Sequence, residues 1–183
     1  MHIMFVCTGN ISRSPMGELL MRRYLQGTGI TVSSAGTQGL DAYPIEVYSA
    51  RMLDSVGIDS SSFRSRRLTA NLANNADLLL CFERRQRHDV VVLAPQAVKY
   101  TFTLTEFAAL CDYAARQGLI EGAGLEDRLL SVIAAAPSIR PQIAPQPDID
   151  DPHGKEFPAF YAAGIQTNDA LRSIVSDIAI VTK

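Results

Sequence analysis

Apolar and polar positions fall along the chain in blocks that alternate between the period of a strand and that of a helix. Ile3, Met4, Phe5 and Val6 form a short unbroken apolar run, the pattern of a parallel strand buried on both faces. A polar loop follows, Cys7-Thr8-Gly9-Asn10-Ile11-Ser12-Arg13-Ser14, in which Gly9 and Asn10 accept backbone angles closed to most residues. Ser14 and Pro15 suit the N-cap and first turn of a helix, which Met16, Leu19, Leu20, Arg23 and Tyr24 continue until Gly27 and Gly29 end it. A second strand is expected over 29–35, running into Gly36 and Thr37, then a loop over 38–44 and a helix over 45–56. Thr69 is placed to cap a short helix, and 76–82 reads as a buried third strand.

The spacing predicts a helix over 83–91, a fourth strand over 98–104, and helices over 105–117 and 125–136. Pro137, Pro141, Pro145 and Pro147 make 137–147 extended or looping. Phe157, Phe160, Tyr161, Gly164, Leu171, Ile174, Val175 and Ile178 mark the apolar stripe of a long closing helix. This alternation predicts an α/β, doubly wound fold: a parallel sheet with helices on both faces. The Cys7 loop would lie at the carboxyl end of the first strand, where such sheets bind ligands.

Composition narrows the classes without changing that picture. The 183 residues, 47% of them hydrophobic, suit one domain with a sizeable core, and no linker divides them. A net charge of -2 gives no reason to expect nucleic acid or a membrane surface as partner. The chain opens directly on its first strand and has no apolar run of the roughly eighteen residues a span requires, so a cytoplasmic location is expected. Three cysteines and three histidines lack the spacing of a disulfide framework or a metal site, so no metal is expected.

The chemistry is concentrated in the first loop. Cysteine and arginine six residues apart prove little alone, since Cys81 and Arg87 share that spacing inside an apparent strand and helix. Joined to a preceding strand, Gly-Asn and Ser-Pro, the pair describes an anion cradle with a thiol at its floor. The loop amides and the Arg13 fork would hold the oxygens of a tetrahedral anion, and a helix N-terminus beside arginine favours the nucleophilic thiolate. Without Gly-Lys-Ser or Gly-Lys-Thr, a Walker loop is excluded. In-line attack by sulfur on a phosphate ester then gives a phosphocysteine, and expelling an alkoxide or phenolate calls for a general acid. The carboxylates Asp148, Asp150 and Asp151, in Asp-Ile-Asp-Asp-Pro-His-Gly, supply candidates among which the spacing does not choose, and His153 is a further one.

These residues resemble the low molecular weight protein-tyrosine phosphatases. Val6 to Pro15 is similar to the family's Cys-x5-Arg-Ser-Pro loop, Ser34-Ala35-Gly36-Thr37 to its second-strand ending, 77–82 to its third strand, and Asp148 to Gly154 to its Asp-Pro acid loop. The resemblance implies a four-stranded parallel sheet, no metal or organic cofactor, Cys7 as nucleophile, Arg13 as phosphate clamp and Asp151 as the acid. It also makes Ser14 a thiolate stabiliser and Asn10 the residue that holds the loop; Thr8, Gly9, Asn10, Ile11, Ser12, Ser14 and His153 complete the substrate site. The implied substrate is a phosphorylated protein or a small aryl phosphate, with a tyrosine kinase as counterpart.

Three departures stand out. Ser12 occupies the place where many members carry a second cysteine that protects the first by disulfide, His153 stands where an aromatic wall is common, and Phe63 replaces the histidine of a His-x-x-Arg pattern. The stretch 104–147 is longer than the compact family pattern and reads as a helical insertion within a single 1–183 domain. Two alternatives accompany this reading. An arsenate reductase on the same scaffold would need a relay through Cys81 and Cys111, and a phospho-ligand binding module would keep the cradle without turnover.

Overall fold

The computed structural model describes residues 1–179; residues 180–183 of the expected domain lie outside the described residues. At its centre is β1 (His2–Cys7), in which Ile3, Met4, Phe5 and Val6 have no exposed surface. β1 pairs in parallel with β2 (Thr31–Gly36) on one side and with β3 (Leu78–Cys81) on the other, and β3 pairs in parallel with β4 (Thr101–Thr103). The strand order is therefore β2-β1-β3-β4. The chain winds outward from β1 in both directions, which opens a crevice at the carboxyl ends of the strands. Register brings those ends level, since Cys7 faces Gly36 and Val6 faces Cys81. The residues that follow β1, β2 and β3 thus share one edge of the sheet.

Both faces of the sheet are covered, so each strand sends alternate side chains into two separate cores. Ile3, Phe5, Leu78 and Leu80 meet α1 (Arg13–Tyr24), α5 (Leu104–Arg116), α6 (Leu125–Ile139) and α7 (Phe157–Ile178), through Met21, Phe107, Leu110, Leu129, Leu171 and Ile174. Met4, Val6, Leu79 and Cys81 meet α3 (Ala70–Asn74) and α4 (Arg84–Leu93) through Ala73 and Val90. α2 (Val47–Ser55) packs on α1 and α7. Close approach explains Gly17, where an added Cβ would come 2.7 Å from the Phe5 ring. α1 is thereby held tight against β1, and with it the loop that joins them.

The structure revises three expectations. α1 begins at Arg13, so Ser14 and Pro15 stand inside its first turn and Ser12 occupies the cap position. Proline is tolerated there because first-turn N–H groups lack helical partners anyway, and the Ser14 hydroxyl is left free for other duty. The predicted strand over 98–104 shortens to β4, because Pro95 starts a 3-10 turn over Pro95–Tyr100 that leaves Val98 44% exposed. Finally, α6 carries through Pro137 to Ile139, followed by a 3-10 turn at Arg140–Gln142. Val132, Ala136 and Ile139 on that helix are almost wholly buried, and their burial outweighs the hydrogen bond that Pro137 forgoes. The predicted cap at Thr69 is present, its hydroxyl accepting from the Leu72 amide at 3.2 Å.

The stretch 104–147 contributes α5 and α6 to the core beside β1 and β3, with Phe107, Leu110, Cys111 and Leu129 fully buried. None of its residues lines the cavity over Cys7.

Candidate active site

The loop between β1 and α1 turns on Asn10, whose φ of 56° is left-handed and easier for asparagine than for most side chains. Asn10 has no exposed surface, and the orientation of its amide is fixed by a backbone donor: Arg66 N–H donates to Oδ1 at 2.9 Å. Its Nδ2 therefore donates, to Ser14 Oγ at 2.9 Å and to Ser34 Oγ at 2.8 Å. With its oxygen already accepting from Asn10, the Ser14 hydroxyl has its proton free for Cys7 Sγ, 3.0 Å away. Asn10 N–H also donates to Sγ, at 3.3 Å. Ser34 in turn donates to Glu18 Oε2 at 2.5 Å. Burial pushes the Glu18 carboxyl above its ordinary value of 4.5, against the opposing pull of the Ser34 hydroxyl and of Arg22.

The loop is also tied to its surroundings by backbone. Thr37 N–H donates to the Cys7 carbonyl and Gln38 N–H to the Thr8 carbonyl, both at 2.9 Å, while Glu46 N–H donates to the Ile11 carbonyl at 2.7 Å. Gly36 is needed because a Cβ there would lie 2.6 Å from the Thr8 carbonyl oxygen and 3.0 Å from Asn10 N. Ser12 meets Ser49 of α2, Oγ to Oγ, at 2.9 Å.

Arg13 is 2% exposed and gripped from two sides. Nη1 reaches the carboxylate of Glu83 and donates to the Ile149 carbonyl at 2.7 Å; Nη2 pairs with Asp151 Oδ2, also at 2.7 Å. The guanidinium stands over the Phe82 ring, 5.9 Å from its centroid. Ile149 N–H donates to the Phe82 carbonyl at 2.9 Å, pinning the 148–151 segment to the end of β3.

The three acid candidates separate. Asp151 lines the cavity and touches Arg13, Asp148 accepts from Arg84 N–H at 3.1 Å, and Asp150 is exposed. His153 is exposed at the mouth, with its backbone N–H donating to Asp151 Oδ1 at 3.1 Å. Thr8, Gly9, Ile11, Ser12 and Arg13 line the cavity of about 210 Å³ above Cys7, joined by Gln38, Asp151 and His153. Asn10 and Ser14 lie beneath it as supports.

Several members of this site escaped the sequence reading. Glu83 and Gln86 were visible only as the start of a helix, yet Glu83 pairs with Arg13 while Gln86 Nε2 donates to Thr8 Oγ1 at 3.2 Å. Their signal was position, directly after the strand that neighbours β1. Ser34 was visible only as part of a strand ending, and Glu18 and Arg66 carried no comparable signal, because Ser34 and Arg66 act through Asn10 and Glu18 through Ser34.

Cys81 and Cys111 are both fully buried, and desolvation pushes each thiol up. Cys81 belongs to the core on the opposite sheet face from Cys7. Cys81 and Cys111 thus stand in separate cores, not together on one exposed segment. Among the described residues no cluster of histidine, cysteine and carboxylate could hold a metal ion, and no helix is long and apolar enough to cross a membrane.

The chain is similar to the low molecular weight protein-tyrosine-phosphatase Etp of Escherichia coli K12, 40% identical over 94 residues, 51% of this chain and 62% of the relative. It is also similar to a probable low molecular weight protein-tyrosine-phosphatase, EpsP of Ralstonia solanacearum, at 38% over 104 residues, 57% of this chain and 70% of the relative. The solved structure of the YwlE arginine phosphatase from Geobacillus stearothermophilus superimposes with a TM-score of 0.71 at 24% identity, over 96% of this chain and 90% of that one, a likeness of fold. The match to Etp thus spans less than two thirds of that relative's length. The model of the family described as low molecular weight phosphotyrosine protein phosphatase matches residues 2–117, from β1 through α5, and the chain belongs to that family.

Proposed function

We propose that this protein is a cysteine-dependent phosphomonoesterase acting on phosphotyrosine or a similar aryl phosphate through a phosphocysteine. The observation that carries the reading is the placement of Cys7 Sγ, held by Ser14 Oγ and Asn10 N–H at the floor of a cavity whose wall bears Arg13 and Asp151. In the first step Sγ attacks phosphorus, the S–P bond forms as the P–O bond breaks, and Asp151 gives its proton to the departing oxygen. Arg13 and the loop amides bear the charge on the equatorial oxygens. In the second, water takes the phosphoryl group while Asp151 accepts its proton, returning the Cys7 thiolate and inorganic phosphate.

The contact between Arg13 and Asp151 fits this sequence. An incoming dianion competes with Asp151 for Nη2, which frees the carboxyl to turn to the leaving oxygen. Glu83 keeps the guanidinium in place meanwhile, since it holds Nη1 from the far side.

Likeness to an arginine phosphatase makes phosphoarginine the competing substrate. Ile11 and His153 line the cavity with an apolar edge and a ring, which suit a flat aryl group better than a charged guanidinium. The partner is then a phosphotyrosine protein with a tyrosine kinase as counterpart, in a cytoplasmic setting. The described residues form one phosphatase-like domain, and the family match, which takes in α5 and ends at 117, supports an insertion shorter than 104–147, made of α6 and the segment after it.

The test is turnover of p-nitrophenyl phosphate, phosphotyrosine peptide and phosphoarginine without metal, by the unmutated chain and by Cys7→Ser. Activity that survives Cys7→Ser refutes the mechanism. Phosphotyrosine binding without turnover in the unmutated chain would make the protein a binding module instead.

A further inference from the structure

A second pocket opens on the same edge of the sheet, a cavity of about 270 Å³ lined by Arg84, Arg87, Thr103, Glu106, Arg140 and Gln146 among others. Three guanidinium groups converge there in a chain whose net charge is -2. Their own carboxylates neutralise them only in part. Arg140 Nε pairs with Glu106 at 2.7 Å and Arg84 Nε with Asp148 at 3.3 Å, whereas Arg87 donates from Nε to the Thr101 carbonyl and meets no carboxylate within ion-pair distance among the described residues. Arg140 Nη2 is shielded from solvent and finds no acceptor among the described residues. Nη2 is closed to a ligand oxygen as it is to water, but the Arg140 side chain is 39% exposed and its Nη1 edge can meet an oxyanion. Stacking over Phe102, 5.3 Å from Cζ to the ring centroid, keeps this group from turning away.

The pocket is coupled to the active site by short covalent steps. Arg84 follows Glu83, which holds Arg13, and Asp148, which holds Arg84, precedes Asp151 by three residues. Three extended residues reach at most about 10 Å. We propose that this pocket is an accessory site for a phosphate-class oxyanion, taken up by the forks of Arg87 and Arg140 while a phosphotyrosine occupies the Cys7 loop. The chemistry fits a second phosphoryl group on the same polypeptide substrate or free inorganic phosphate. The site lies outside the catalytic machinery and rests on the proposed phosphatase activity only in its link to turnover.

Two measurements test it. The first compares KM for a phosphotyrosine peptide with KM for the same peptide bearing a phosphoserine about three residues away, with p-nitrophenyl phosphate as a control too small to reach the pocket. The doubly phosphorylated peptide should have a KM roughly ten-fold lower, the worth of a charge-assisted contact. That advantage should vanish in Arg87→Gln and Arg140→Gln, and in Gln146→Glu, which adds a repelling charge without removing a structural contact of either arginine. Turnover of p-nitrophenyl phosphate should stay unchanged in all three. The second counts inorganic phosphate bound at equilibrium, expected at two per chain and one in each variant. A peptide advantage assigns the site to substrate; two bound phosphates without it assign the site to the free anion. Equal KM values together with a single bound phosphate overturn the proposal. Loss of p-nitrophenyl phosphate turnover in the unmutated chain refutes the phosphatase reading instead, and the phosphate count still reports on the pocket.

Discussion

Asn10 offers the sharpest test of how the loop is held. Replacing it with glycine keeps the left-handed backbone and deletes three buried hydrogen bonds, those with Ser14, Ser34 and the Arg66 amide. At about 1 kcal/mol net for each, the loss is about 3 kcal/mol. Replacing it with alanine deletes the same bonds and also places a Cβ at φ 56°, adding about 1 kcal/mol. For a chain of this length each kcal/mol moves Tm by roughly 2–4 °C, so Asn10→Gly should lower Tm by about 6–12 °C and Asn10→Ala by a few degrees more. Urea unfolding followed by far-UV circular dichroism measures both, with an unchanged m-value showing that the native and unfolded states are otherwise alike. Turnover should fall at least about ten-fold in each, because Ser14 loses the donor that aims its proton at Cys7. A loss below about 1 kcal/mol for Asn10→Gly, or an alanine variant no worse than the glycine one, would refute the idea that Asn10 organises this loop.

Other expectations follow from the same network. Glu18 has a folded pKa raised by burial, so its contribution to stability is fully present below its ordinary value of 4.5 and is lost as pH rises through the raised value; Glu18→Gln should flatten the fall in stability over that window, as read by urea midpoints at a series of pH values. Asp151→Asn should cut kcat on phosphotyrosine by about two orders of magnitude, with a smaller loss for substrates whose leaving group needs no proton, a contrast that stopped-flow kinetics would detect. Gly36→Ala should destabilise the chain by about 1–3 kcal/mol and depress turnover, since its Cβ meets backbone at Thr8 and Asn10 that has nowhere to move. Cys81→Ala and Cys111→Ala should lower the melting temperature by leaving small cavities yet preserve kcat within about two-fold; thiol-dependent activity lost in either would favour a relay through them.

Local pattern was enough for the strands and helices whose burial is complete. β1 and β3 are unbroken apolar runs because both their faces are covered, and α7 declares itself by a stripe because only one of its faces is. Pattern failed where a tertiary contact overrode it: α6 passes through Pro137 because Val132, Ala136 and Ile139 are buried, and the strand expected from Val98 begins at Thr101 because Pro95 starts a turn that runs to Tyr100.

For the site the division is similar. The sequence by itself determined the Cys7 to Arg13 cradle, because an anion loop between a strand and a helix is written in consecutive residues. It determined the candidate acids as a group, because they too are neighbours in the chain. Only the tertiary structure decided which of them faces Arg13, since the Ile149 amide bonded to the end of β3 turns Asp151 toward the cavity and Asp148 toward Arg84. It alone brought Glu83, Ser34 and Arg66 to the loop, and Arg84, Arg87 and Arg140 to one pocket. Those residues come from separate elements, and what joins them is the level ending of parallel strands, a distance in space that no spacing along the chain records.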